Sequence, residues 1–211
     1  MKRKLLLIGG GGHCRSVLDS ALAAGEFDGI GIVDPRADCA WLGVPVVGAD
    51  EDIPGLIRDG WNCAFVTVGS VGDTGLRRRL DDMIRKLGLE IPVIADPTAV
   101  IAKGTEIGEG CYIGKRAVVN TGTVLGRCAI LNTGAIAEHD CRIGDFAHIS
   151  TGAALCGQVS VGADTHIGAG SVVRQGIAVG RGTLVGAGSV VVKDIPDHVK
   201  AYGNPCRVVA E

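Results

Sequence analysis

Aromatic side chains are scarce in this sequence: two Trp, two Tyr and three Phe, 3% of 211 residues. That excludes a thick core built on aromatic packing. With 46% apolar residues, thin layers of Val, Ile, Leu and Ala can still bury a sizeable core. No Cys-x-x-Cys pair occurs among the eight cysteines. A disulfide or zinc framework is therefore not indicated, and the thiols are expected buried and reduced in a cytosolic protein. Long runs of Lys or Arg are absent and the net charge is −2, which argues against nucleic acid or an anionic membrane as partner. No apolar run reaches the ~20 residues of a membrane span. The short run Leu5–Ile8 passes into Gly9-Gly10-Gly11-Gly12-His13 rather than a cleavage site, so no secretory signal is expected.

What is abundant is Gly, at 34 residues, and a strict period. From Ile101 through Ile107, Ile113 and Val119 to Val191, every sixth residue is aliphatic, sixteen positions without a slip. Only Ala137 is not a branched aliphatic. Gly follows the aliphatic residue at eight positions, and a small residue usually stands four places after it. A period of six fits neither a helix nor an alternating strand, and it marks a parallel β-helix. Three hexapeptides make one coil, so residues eighteen apart should stack at about 4.8 Å. This arithmetic places His148 against His166 and Gly157 one coil along from His139.

The first half alternates strand and helix patterns. Strands are predicted at Lys4–Ile8, Ile30–Val33, Val44–Val47, Ala64–Val68 and Ile91–Ile94. One helix carries Val17, Leu18, Ala21 and Leu22. A second, capped by Asp73, carries Leu76, Leu80, Met83, Ile84 and Leu87. This order implies a parallel α/β sheet. The expected division is 1–97, a Rossmann-like α/β domain; 98–196, the β-helix; and 197–211, a tail.

Two stretches carry candidate chemistry. The Gly-rich turn between the first strand and helix can aim backbone N–H groups at an anion, with Asp34 at the end of the second strand as a hydroxyl acceptor. The alternative is that these glycines only permit the turn. Cys14 breaks the full dinucleotide fingerprint. The other stretch is Ala137-Glu138-His139-Asp140-Cys141, the one repeat where the aliphatic falls to Ala and a charged residue follows. An imidazole beside a carboxylate suits a general base; the alternative is an exposed turn histidine among charges.

Together these residues resemble the NeuD/PglD-type hexapeptide-repeat sugar acyltransferases. The likeness rests on Ile8-Gly-Gly-Gly-Gly-His13, Val33-Asp34, Val68-Gly69-Ser70, Ile130 to Cys141, Ile143 to Ser150 and Gly203-Asn-Pro-Cys-Arg207. It implies a small Rossmann-like domain joined to a left-handed parallel β-helix, a homotrimer with active sites between subunits, and no metal. The implied activity is transfer of acetyl from acetyl-CoA to the amino group of a nucleotide-linked 4-amino-4,6-dideoxy sugar. O-acetylation of a sialic-acid-like sugar is the alternative acceptor chemistry. By resemblance, His139 is the general base and Asp140 its supporting acid. His148, Ala169 and Ala187 contact acetyl-CoA, with His166 stacked beside them. Gly11, Gly12 and His13 form the nucleotide-sugar turn, Asp34 and Pro35 touch base or ribose, and Ser70 joins the substrate group. Gly157 N–H is the candidate oxyanion donor. Asp96 stands where the family often has His, and Pro35 where it often has an acid. Two rivals remain: a zinc hydratase of the γ-carbonic anhydrase kind, drawing on His139, His148 and His166, and a non-catalytic nucleotide-sugar binder.

Overall fold

In the computed structural model, which describes residues 2–36 and 40–209, each hexapeptide contributes one two-residue strand and one corner. Cys39 lies outside the described residues; no disulfide joins any two of the other seven cysteines. Strands eighteen residues apart pair in parallel, as Ile130↔His148 and His148↔His166 do. Faces of eight, six and five strands result, followed in that order around each coil. Ile113, Leu131 and Ile149 point inward from the first face, Val119, Ala137 and Leu155 from the second, and Leu125, Ile143 and Val161 from the third. All are at most 3% exposed. The one unbranched member, Ala137, keeps its inward place.

The second corner residue is left-handed at every sixth position from Gly104 to Gly188. Glycine fills most of these sites. The exceptions are Arg116, Cys128, Asp140, Phe146, Gln158 and Asp164. A side chain in that conformation costs roughly 1–2 kcal/mol, so each exception calls for a compensating contact. Three of them, Cys128, Phe146 and Asp164, receive the N-terminal half.

That half is a parallel sheet of β1 (Lys4–Ile8), β2 (Gly29–Val33), β3 (Val46–Gly48) and β4 (Cys63–Val66), in the order β3-β2-β1-β4. Helix α1 (Gly12–Ala24) covers one side; α2 (Ile53–Arg58) and α3 (Gly75–Lys86) belong to the other. The sheet has four strands where five are predicted. Pro92 lacks an N–H and ends the ladder after a single Glu90–Cys63 bridge. Ile94–Ala95 instead pairs with Tyr112–Ile113 and opens the β-helix. Helix α2 carries no sequence signal, because Pro54-Gly55 reads as a turn. The segment after 196 is more than a tail: Lys200–Tyr202 pairs with Leu184–Val185, and Ala201 joins the inward lane.

The two halves are bolted together by α3. Arg77 is 4% exposed and donates to the carbonyls of Phe146, at 3.1 Å, and Cys128. Arg78 grips Asp164 with two bonds of 2.8 Å and lies over the Phe146 ring. On the α1 side, Asp96 accepts from Ser20 at 2.7 Å and Lys115 at 2.8 Å. Burial would raise the Asp96 pKa, but bonds from Lys115, Thr98 and Ser20 outweigh it and hold the carboxyl below its usual range.

Two outward lanes border the cavities and the uncovered surface. On the eight-stranded face, Ile94, Tyr112 and Ile130 lie buried in the cluster around α1, and the lane continues beyond as His148 and His166. On the six-stranded face, Val100, Val118, Ile136, Ala154, Val172 and Val190 form an apolar stripe. Val100 is 61% and Val172 41% exposed, so the described residues leave this stripe uncovered.

Candidate active site

Where the α/β half stops covering the histidine lane, two cavities open. The first, about 530 Å³, is lined by Gly12, His13 and Ser16 of α1, the loop Gly69–Val71, and Asn132, Thr133, His148 and Thr151 of the β-helix. The second, about 420 Å³, shares Val71, Asn132, His148 and Thr151 with the first. It runs on past His166, Ala169 and Ala187. The four expected acetyl-CoA contacts thus line one groove, which adjoins the expected nucleotide-sugar turn through His148.

The histidines of this region are locked by local geometry. His148 Nδ1 lies 3.1 Å from the Ser70 carbonyl, which can only accept, so Nδ1 carries the proton. Nε2 then accepts from Asn132 at 3.2 Å. The His148 and His166 rings meet edge to face at 4.8 Å, and His166 Nε2 meets Ser150 Oγ at 3.1 Å. Among the described residues, the buried His166 Nδ1 and His13 Nε2 have no partner. His13 also meets Tyr112 edge to face at 5.3 Å.

Burial pushes His148 down to about 4, reinforced by His166 and Arg77 and opposed by the Ser70 carbonyl. It pushes His13 down to about 3, with His148 and Arg77 adding, and also lowers His166. All three are neutral at pH 7. Because their folded values lie below the unfolded 6.5, the unfolded chain takes up protons first as pH falls. Stability is full above about pH 6.5 and is lost toward pH 4, by about 1.4 kcal/mol per pH unit for each proton. Urea unfolding at pH 7 and pH 4.5 should show this slope, and His148→Gln should remove about one proton from it. An unchanged slope in the variant would refute the assignment.

The Gly-rich turn behaves differently along its length. Gly9 is crowded, since a Cβ would stand 2.7 Å from Val68. At Gly11, the N-cap of α1, and at Gly12 a Cβ would meet nothing within 4 Å, so packing does not require glycine there. Asp34 is 7% exposed. Its carboxylate accepts from Gly10 N–H at 2.6 Å and from Arg36 at 2.9 Å. Arg36 comes first in holding it well below the usual carboxylate range, against the effect of burial and with Gly10 assisting. Pro35 beside it is exposed.

His139 sits on the corner leading from the six-stranded to the five-stranded face and belongs to neither cavity. Its Nδ1 is 2.9 Å from Asp140 Oδ2, and the ring is 42% exposed. Glu138 Oε2 accepts from Asn120 at 2.8 Å and from the His139 amide at 3.3 Å. Gly157 lies against the ring: a Cβ there would be 2.3 Å from His139 Nε2. Its amide occupies a corner position that the strand ladder does not use. At equivalent corners a carboxylate fills the role, Asp145 for Arg127 N–H at 3.0 Å and Asp197 for Arg181 N–H at 2.8 Å. Sequence reasoning missed Asn132, Thr133, Thr151, Val71 and Arg77. Among the described residues no cluster of three His, Cys, Asp or Glu is arranged to hold a metal; His139 stands a corner away from the His148–His166 pair.

Residues 4–84 match the PglD N-terminal domain, and residues 104–137 and 158–193 match the hexapeptide repeat of succinyl-transferase. Perosamine N-acetyltransferase from Caulobacter crescentus, as a histidine-to-asparagine variant with CoA and GDP-perosamine, is 39% identical. It superposes with a TM-score of 0.93 over 99% of this chain and 97% of that one. The acetyltransferase domain of PglB from Neisseria gonorrhoeae, with acetyl coenzyme A, is 36% identical at a TM-score of 0.93, over 99% and 100%. WeeI from Acinetobacter baumannii, 22% identical with a TM-score of 0.87 over 99% and 100%, shares the fold. No curated protein sequence matches. An α/β domain that opens on a Gly-rich turn and docks on a hexapeptide β-helix defines a hexapeptide-repeat acyltransferase. More narrowly, the chain belongs to the NeuD/PglD-type sugar acetyltransferases, and its coil is their left-handed β-helix.

Proposed function

We propose that this protein transfers the acetyl group of acetyl-CoA to the amino group of a nucleotide-linked 4-amino-4,6-dideoxy sugar, with His139 as general base. The observation that carries the reading is the pair His139–Asp140. With Nδ1–H donated to Asp140 at 2.9 Å, Nε2 is left as the basic atom, beside the Gly157 backbone. The neutral sugar amine attacks the thioester carbonyl and Nε2 takes its proton. Gly157 N–H donates to the developing oxyanion. As the C–S bond breaks, the imidazolium returns the proton to the CoA sulfur, and Asp140 stabilises the transient charge. Histidine variants of the Caulobacter enzyme, to asparagine and to alanine, hold both CoA and GDP-perosamine, which supports a histidine of this kind acting in chemistry rather than binding.

Residues 1–97 supply the sugar-nucleotide half and 98–196 the transfer half. Acetyl-CoA lies in the groove of His148, His166, Ala169 and Ala187; Gly11, Gly12, His13, Asp34, Pro35 and Ser70 serve the acceptor. Within one chain His139 and that groove flank opposite edges of the six-stranded face. The uncovered Val–Ile stripe on that face supports packing against further copies as a homotrimer, which brings His139 of one subunit to the groove of the next. Val172→Glu is expected to leave the coil folded, since Val172 is 41% exposed. It should dissociate the trimer and abolish transfer; a trimeric, active variant in analytical ultracentrifugation and assay would overturn this arrangement. For the reaction itself, thiol release from acetyl-CoA should require a nucleotide-linked amino sugar, and a 4-hydroxy analogue should give none. Equal turnover of both would refute N-acetylation.

A further inference from the structure

Trp41 is 39% exposed and joins none of the apolar clusters, although Val44, three residues on, is buried at 8%. The ring is nonetheless placed by a tight turn. Trp41 and Val44 exchange backbone bonds of 3.2 and 2.9 Å across left-handed Leu42 and Gly43. Its ring stacks on Arg15, whose guanidinium centre is 4.3 Å from the ring centroid. The tryptophan is thus fixed at the surface by an arginine, and among the described residues no second aromatic or cationic side chain lies over its ring.

The position of Arg15 on α1 gives that ring a role. At 100° per residue, His13 and Ser16 project to one side of Gly12, and both line the cavity facing the β-helix. Arg15 projects about 60° to the other side, outside the lining of that cavity and onto Trp41 in the connection between β2 and β3. The acceptor is linear: base, ribose, diphosphate, sugar. If its diphosphate rests on the open amides of Gly11 and Gly12, the sugar must run toward the β-helix, where the acyl group is. The base is then directed to the opposite flank.

We propose that Trp41 is the stacking platform for the nucleobase, with Arg15 fixing the ring and turning positive charge toward the diphosphate. This rests on the acyltransferase reading above. Stacking on an indole face accepts purine or pyrimidine alike, so Trp41 contributes affinity for the nucleotide part without choosing between bases.

The test combines kinetics with fluorescence. Trp41→Ala should raise KM for the nucleotide sugar at least tenfold, with KM for acetyl-CoA and kcat at saturation within twofold; Trp41→Phe should restore most of the loss. The chain has only two tryptophans, so in a Trp61→Phe background the emission reports Trp41 in its native form. GDP and UDP should each quench it saturably. An unchanged KM in Trp41→Ala, or no quenching by either nucleotide, would overturn the proposal even if wild-type enzyme acetylates nucleotide sugars. Failure of the wild type to acetylate any nucleotide sugar would instead remove the reading it rests on.

Discussion

His139→Ala is expected to lower kcat for acetyl transfer by about 10²–10⁴-fold, the usual contribution of a positioned general base. KM for acetyl-CoA should change little, because the groove around His148 and His166 shares no residue with the His139 corner. The melting temperature should stay within a degree or two, since the ring is 42% exposed and its one side-chain bond is to a surface carboxylate. Asp140→Asn should cost less, through loss of the carboxylate that accepts from Nδ1 and orients the ring. Steady-state kinetics with both substrates varied, alongside thermal melts, check all of this. A His139→Ala enzyme within tenfold of wild type would remove His139 from the chemistry.

Gly157→Ala should be nearly as damaging, without replacing a titratable group. The new methyl would stand 2.3 Å from His139 Nε2 and 2.5 Å from Cε1, nearer than any non-bonded contact permits. The half-exposed imidazole can swing away, so folding should lose no more than about 1 kcal/mol. The base then no longer faces the reacting amine. A displacement on the order of 1 Å is enough for about a 10²-fold loss. We expect kcat to fall that far with Tm nearly unchanged, and a variant retaining a third of wild-type kcat would show that the ring's present position is not the productive one.

Much of this is legible in the residue pattern alone. The six-residue period specifies the coil, and its eighteen-residue sum specifies the contacts of His148 with His166 and of His139 with Gly157. The cavities are not legible there, because periodicity says nothing about how one half docks on another; that depends on Arg77 reaching two backbone carbonyls across the interface. Asp34 shows a similar limit. An acid at a strand end is visible in sequence, but not that Arg36, two residues on, already holds it. One signal was present and unread. After the inward aliphatic, Gly108, Gly126, Gly144, Gly162 and Gly180 all fall on the same corner. There a Cβ would come within 2.6 Å of the next coil. At the corner that carries His139 the matching residues are Ala102, Asn120, Glu138, Cys156 and Arg174. Sorting the glycines by corner separates the closed edge of the prism from the one that displays side chains.

The strand ladder also makes length a quantised quantity. Removing six residues between 157 and 164 would turn everything downstream by a third of a circle, carrying His166 off the face it shares with His148. Removing eighteen would leave each lane on its own face. The rod can therefore be shortened or extended only in whole turns, and only beyond the coils that hold His139, His148 and His166.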